Sequence, residues 1–218
     1  DGYWNLKGPQ DLTSADTDTG LPGTVGDVDS GEDYPYKDIH KQSNTLADTA
    51  LYYYKTDLRT SALGNCSNKT DTSIKNDLCE NNVPGSGDDV NAKQHMTTFT
   101  LGLGVTGSIQ YEPNYKTAPD TSALQYVDIV EGETSWSALT LRSGKDDSLS
   151  QPYKTCNNNC PAQIDDLWHA AVNGRGMYYS ASNPTSVEAG LRSALAGVSA
   201  RLGSGAAAAT SNLEPVAG

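Results

Sequence analysis

The sequence predicts an α/β fold that forms part of a doubly wound, mostly parallel sheet with long loop insertions. Segments with helical periodicity alternate with short segments of period two, in the order loop, helix, strand, helix, strand, helix. This alternation favours a parallel sheet with helices on its faces. Two clear strands cannot form such a sheet alone, so we expect the missing strands to lie before residue 1 or to come from another chain.

The first helix is predicted over about residues 45–58. Thr45 can cap it, and Asp48 three residues later completes a capping box. Apolar residues then recur every four positions at Leu46, Ala50, Tyr54 and Leu58. The pattern changes to period two at 96–103, where threonines alternate with apolar residues that point one way, which favours a strand: Phe99, Leu101 and Leu103.

A second, short helix is predicted from Asp165 or Asp166 to Val172, and two glycines break it directly afterwards. A short strand follows at 177–180. Weaker segments, each a strand or a helix, are predicted at 123–130 and 134–142.

The last helix is predicted to begin at the cap residue Asn183. Pro184 suits its first turn, because a missing N–H costs nothing there. Gly203 is the predicted helix end. One apolar face runs along the helix through Val187, Leu191, Leu195, Val198 and Leu202.

Composition limits the function classes. The 218 residues are 36% hydrophobic, with 21 glycines, 10 prolines and a formal net charge of −12. Such a chain is repelled by phosphate backbones and anionic lipids, so we expect neither nucleic-acid binding nor direct membrane insertion. Three scattered histidines, without Gly-x-Ser-x-Gly or His-Glu-x-x-His, argue against catalysis and favour packing and hydrogen-bonding roles for His95 and His169.

The four cysteines favour two disulfides in an oxidising compartment, either the periplasm or the cell exterior. We expect the local pairs Cys66–Cys79 and Cys156–Cys160, although the sequence allows three connectivities. The spacings do not fit the paired CxxC of a zinc site, and neither segment has a nearby histidine.

Two acidic segments resemble parts of a calcium loop. They are Asp16-x-Asp18-x-Gly20 and Asp27-x-Asp29-x-Gly31. Both lack the downstream Glu at the twelfth loop position. A solvated acidic loop is the alternative interpretation, so these four aspartates are weaker metal candidates.

Three sequence blocks, in order, resemble the type IV pilus tip adhesin and biogenesis proteins of the PilC/PilY family. The first is NTLAD at 44–48 running into YYYKTDLR at 52–59. The others are QHMTTFTLGLG at 94–104 and DDLWHAAVNGRG at 165–176, which the capped last helix follows.

The resemblance implies that 1–203 is the second half of a von Willebrand A-type, Rossmann-like domain. Disulfide-stapled loop insertions would lie at about 10–40, 60–93 and 106–163, and 204–218 would be a linker toward a following domain. In this family Asp1, followed by Gly2, would belong to a metal-ion-dependent adhesion site holding Mg²⁺ or Ca²⁺. In that family the Asp-x-Ser-x-Ser loop of the site lies upstream of this Asp, so residues outside the chain would complete the site.

By resemblance, the leading hypothesis is a non-enzymatic module of a pilus tip adhesin, exported through the periplasm to the cell surface. Its partners would be minor pilins at the tip, a host or abiotic surface receptor, the upstream half of its own A-type domain and a downstream β-propeller. A structural tip scaffold without metal-dependent binding is the second hypothesis. A secreted metal-dependent hydrolase is the third, and the sparse histidines argue against it.

Overall fold

The computed structural model describes residues 25–66, 79–117, 125–137, 161–181 and 183–211. In chain order it contains α1 (Leu46–Lys55), β1 (Thr98–Leu103), α2 (Gln125–Glu131), α3 (Pro161–Asn173), β2 (Arg175–Ala181) and α4 (Pro184–Ser211). Within these ranges, no helix combines the length and apolar character needed to cross a membrane. The mixed order of helices and strands agrees with the predicted α/β class.

The two strands form a parallel pair with a helix on each face. Thr100 of β1 aligns with Tyr178 of β2, and both α3 and α4 pack against the strands. The Thr100 hydroxyl donates to the Leu167 carbonyl of α3 at 2.8 Å, whereas Phe99 and Leu101 lie beside glycines of α4. The parallel pair agrees with the sequence; the larger doubly wound sheet stays a prediction.

Helix α1 begins where the sequence predicts. The Thr45 hydroxyl accepts a hydrogen bond from the Asp48 amide at 3.0 Å, and the Asp48 carboxylate accepts one from the Thr45 amide at 3.0 Å. This is the predicted capping box. The helix ends at Lys55 rather than at residue 58, because the Leu58 amide donates instead to the Gln94 carbonyl at 2.8 Å.

Helix α3 is longer than predicted. It begins at Pro161, not at Asp165 or Asp166. Proline is favoured at the first helical position, where its missing N–H would have no partner anyway, and Ile164 in this added turn is buried. The predicted insertion at 106–163 is therefore not entirely loop, since it contains α2 and the start of α3.

Helix α4 begins as predicted but ends later. The Asn183 side chain accepts a hydrogen bond from the Ser186 amide at 3.0 Å, as expected of an N-cap. The helix continues past Gly203 to Ser211, so the predicted end at Gly203 is wrong. A run of four alanines follows, and the high helix propensity of alanine outweighs that of the glycines. The linker at 204–218 stays a prediction.

The apolar face of α4 is partly exposed in the described residues. Leu191, Leu195 and Val198 are 51%, 67% and 42% exposed. The helix meets the sheet through small residues instead. A Cβ on Gly190 would lie 3.3 Å from a methyl group of Leu101, so glycine permits this close packing.

Aromatic rings form the core between α3 and the sheet. Trp168, only 1% exposed, stacks on Tyr178 of β2 with ring centroids 5.2 Å apart and on Tyr126 of α2 at 5.5 Å. Trp136 joins the same cluster, and its indole N–H donates to the Pro35 carbonyl at 2.7 Å. The core thereby holds both α2 and the loop before α1.

The two strands approach each other most closely at their starts. A Cβ on Gly176 would lie 1.9 Å from the Thr98 carbonyl oxygen. The preceding residue, Arg175, has a φ of 57°. Its guanidinium lies 3.6 Å from the ring centroid of Tyr36 and 4.5 Å from that of Tyr54. These cation–π contacts join β2 to α1 and to the loop before it.

The insertion at 60–93 is closed at its base. A disulfide joins Cys66 and Cys79, the expected pair. A backbone hydrogen bond also joins residues 58 and 94. In the chain-entropy view, such a cross-link removes conformational freedom from the unfolded chain, which stabilises a segment that has few apolar residues of its own.

Replacing Gly176 with alanine should destabilise the fold, because the added Cβ would meet the Thr98 carbonyl oxygen. We expect the free energy of unfolding to fall by about 1–3 kcal/mol, measured by urea denaturation. Gly31→Ala is the matched control, since nothing lies within 4 Å of a Cβ there, and its change should stay within about 0.5 kcal/mol. Equal stability of the two variants would contradict the close approach of the strands.

Candidate functional site

Helix α3 buries Gln163 and four further polar side chains that bond to other segments. Asp165, Asp166, His169 and Asn173 are each at most 5% exposed. A buried polar or charged group is costly unless it is hydrogen-bonded. Each of these four bonds to the backbone of a segment outside α3. The helix therefore connects the loops around it.

The two aspartates each accept a pair of backbone amides. Asp166 accepts the Leu46 amide at 3.0 Å and the Ala47 amide at 3.2 Å. Amides in the first turn of a helix have no partner within that helix, so Asp166 satisfies two of them in α1. Asp165 accepts the amides of residues 108–109 at 3.0 and 3.1 Å, which fixes the loop that follows β1.

Three further aspartates meet where the loop before α1 crosses the start of that helix. Carboxylate oxygens of Asp27, Asp29 and Asp48 lie within 4.8 Å of one another. The Val28 amide donates to the Asp48 carboxylate at 2.7 Å, which holds the loop in place. Hard divalent cations prefer such oxygen ligands, so this acidic cluster is the candidate functional site.

Among the described residues, no hydrogen-bond donor offsets the burial of Asp29. It is 0% exposed, and neither of its carboxylate oxygens accepts a hydrogen bond from the described donor groups. Burial, followed by the charges of Asp48, Asp38 and Asp27, raises the pKa of Asp29 to about 8. Because an uncompensated buried carboxylate is costly, this position favours a proton or a bound cation.

His169 lies beside the cluster without neutralising it. Its Nε2 is 3.6 Å from the Asp29 carboxylate, but that nitrogen donates its proton to the Tyr36 carbonyl at 2.8 Å. The ring stacks on Trp136 with centroids 4.6 Å apart. Burial lowers the pKa of His169 to about 3, so the ring is neutral at neutral pH. Packing and hydrogen bonding are the roles that the sequence predicted.

His95 is also buried and bonded. Its Nδ1 lies 2.6 Å from the Lys93 carbonyl, and its Nε2 lies 3.2 Å from an Asp89 carboxylate oxygen. The ring packs edge-on against Tyr54 with centroids 5.1 Å apart. These contacts fix the approach to β1, which again agrees with a packing role.

Apart from the acidic cluster, a cleft opens at the carboxyl ends of β1 and β2. The cleft has a volume of about 580 Å³. Ligands of open α/β sheets bind at that edge, and aromatic walls with a few polar groups are typical of small-molecule sites. The cleft has this composition, with a lining that includes Tyr111, Trp168, Tyr178, Ser108, Asp165 and Ser180.

Five predicted site residues lie outside the described part of the chain, and their roles stay predictions: Asp1, Asp16, Asp18, Cys156 and Cys160. Asp27 and Asp29 are described, and they meet Asp48 rather than a downstream loop glutamate. The sequence shows Asp48 only as a capping residue. No local spacing links it to the Asp-x-Asp pair, because a loop without helix or strand separates them.

Fold and site together define an α/β module whose loops are held by buried polar groups and which carries a buried acidic cluster. The chain is 31% identical over 214 residues to the type IV pilus biogenesis factor PilY1 of Pseudomonas aeruginosa strain PAK, a match that covers 92% of this chain. It is 32% identical over 214 residues to PilY1 of strain PAO1 and 30% identical over 177 residues to PilY1 of strain UCBPP-PA14.

These relatives support the PilY family for this chain. The chain spans about 15% of the length of the first two relatives and 13% of the third. No protein-family model and no solved structure matches it. The von Willebrand A-type assignment therefore stays a prediction.

Asp165→Ala should destabilise the chain, because the amides of Ser108 and Ile109 would lose their acceptor. We expect a loss of about 2–4 kcal/mol in the free energy of unfolding, measured by urea denaturation. Glu188→Ala, which removes an exposed carboxylate paired with Arg192, should change it by less than about 0.5 kcal/mol. Similar small losses in both variants would show that α3 does not hold this loop.

Proposed function

We propose that this chain is a non-enzymatic module of a type IV pilus tip adhesin that acts in pilus biogenesis and in attachment to surfaces or hosts. The observation that carries the proposal is the 31–32% identity to two PilY1 type IV pilus biogenesis factors over 92% of the chain. The Cys66–Cys79 disulfide supports export through the periplasm to the cell surface, because disulfides persist in oxidising compartments.

The proposed fold is the second half of a von Willebrand A-type domain. The parallel β1–β2 pair with α3 and α4 on its two faces supports it. In this proposal Asp1 supplies one carboxylate of a metal-ion-dependent adhesion site, which residues outside this chain complete. Mg²⁺ or Ca²⁺ would offer an open position there to an acidic group of a partner.

The proposed partners are the minor pilins of the pilus tip, a host or abiotic surface receptor, and the rest of the same protein, including its upstream A-domain half and a downstream β-propeller. The net charge of −12 supports a protein or mineral surface over nucleic acid or anionic lipid, because like charges repel.

A structural tip scaffold without metal-dependent binding is the second candidate function. The closed, disulfide-stapled insertion at 60–93 favours it, since polar loops held at their base can form a contact surface without an ion. Metal dependence of attachment separates the two functions.

Deleting residues 25–211 from the protein, in the bacterium that encodes it, should lower surface piliation and attachment to the level of a strain lacking the gene. Sheared surface pilin and adherent cell counts measure the two effects. A strain carrying Glu188→Ala is the control and should behave as wild type. Normal piliation and attachment after the deletion would contradict the proposed function.

Asp1→Ala should remove one divalent-cation binding event from a chain extended upstream to include the rest of the A-type domain. Calorimetric titration with Mg²⁺, Mn²⁺ and Ca²⁺ measures the number of events, with Glu188→Ala as the control. An unchanged number in Asp1→Ala would remove the adhesion-site mechanism and leave the scaffold function.

A further inference from the structure

The acidic cluster sits in a frame that is fixed by hydrogen bonds of its own. The Gly26 amide donates to the Asn44 side chain at 2.9 Å, and the Asn44 amide donates to the Gly26 carbonyl at 2.9 Å. This reciprocal pair anchors the start of the loop beside the first turn of α1. Asp27 and Asp29 directly follow the anchor, so their carboxylates are placed before any ligand arrives.

A second observation points to a ligand at this place. Asp29 is fully buried, and neither of its oxygens accepts a hydrogen bond from the described residues. Asp38, 7% exposed, also has a carboxylate oxygen without a hydrogen bond there. The described ion pair that reaches the cluster is the 3.6 Å contact with His169, whose Nε2 proton is already donated to Tyr36. Within the described residues, these carboxyl groups therefore gather beside a histidine whose proton is already donated, and no described ion pair joins them to a lysine or arginine.

We propose that Asp27, Asp29 and Asp48 form a binding site for a divalent cation of the Ca²⁺ type. Ca²⁺ binds carboxylate oxygens at about 2.3–2.6 Å, so ligands on opposite sides of the ion are about 5 Å apart. The three carboxylates offer oxygens within 4.8 Å of one another. Mg²⁺ demands shorter and more regular coordination and keeps several waters, which a cradle made of three carboxylates suits less well.

The ion would join two parts of the fold. Asp27 and Asp29 belong to the loop before α1, and Asp48 belongs to the first turn of α1. The same loop reaches the aromatic core, where the Pro35 carbonyl accepts the Trp136 indole N–H and Tyr36 stacks under Arg175. The cation thus holds this loop on the helix while the core holds its far side. The inference stands on these residues, independently of any adhesion site at Asp1.

Binding can be tested on the protein as its gene encodes it, in three forms: wild type, Asp29→Asn and the control Asp33→Asn. Asp33 is an exposed residue of the same loop. The probes are Ca²⁺ by calorimetry and Tb³⁺, which replaces Ca²⁺ at carboxylate sites and emits when nearby aromatic rings are excited. We expect Asp29→Asn to lose one site or weaken it by at least about tenfold, while Asp33→Asn matches wild type.

Thermal unfolding gives an independent readout. Ca²⁺ should raise the melting temperature of wild type and Asp33→Asn, because a ligand that binds only the folded state stabilises it, and it should have less effect on Asp29→Asn. In a chelator, Asp29→Asn should be at least as stable as wild type, because the amide is neutral and replaces a carboxyl group that receives no hydrogen bond from the described residues. That result also shows that the variant folds.

Two outcomes would overturn the proposal. One is an equal Ca²⁺ response in wild type and Asp29→Asn, which would place any bound ion elsewhere. The other is a wild-type protein that binds no Ca²⁺ at a site dependent on Asp29. A proton shared between Asp27 and Asp29 would then account for the buried acid.

Discussion

The loops of this molecule are held in place by the polar side chains that α3 buries. The cost of burying Asp165 and Asp166 is offset by two backbone amides each, and those amides would otherwise lack an acceptor. Replacing the aspartate alone would leave the amides without an acceptor, and moving the amides alone would leave the carboxylate buried without hydrogen bonds. This dependence explains why a helix surrounded by protein carries charge at positions where apolar residues are the usual choice.

Buried carboxylates in this fold are of two kinds. Asp166 is satisfied by hydrogen bonds that lower its pKa, although burial and the charges of Asp48 and Asp38 still raise it to about 7. Asp29 has a similar burial, but no group in the described part of the chain donates such a bond to it. A buried carboxylate with hydrogen bonds, such as Asp166, has a structural role. A buried carboxylate without them, inside an acidic cluster, indicates a functional site.

Local signals predict the helix starts, because capping joins residues only three positions apart. Thr45 with Asp48 and the cap at Asn183 are therefore visible in the sequence and confirmed. Contacts made by tertiary packing are not visible. Asp166 accepts the Leu46 amide of α1, although the two residues are 120 positions apart. No local spacing in the sequence predicts such a pair. The candidate site follows the same rule, since its Asp-x-Asp pair is local and its third carboxylate comes from the helix cap.

The closed base of the 60–93 insertion separates the frame, formed by α1 and β1, from the loop surface that the insertion presents to solvent. Residues 58 and 94 are joined by a backbone bond, and Asp89 and Lys93 near the end of the insertion bond to His95, so both ends of the insertion belong to the frame. Changes between Cys66 and Cys79 alter none of these contact residues. For the same reason, the segment is a natural place to graft a foreign epitope or to trim the protein for a vaccine.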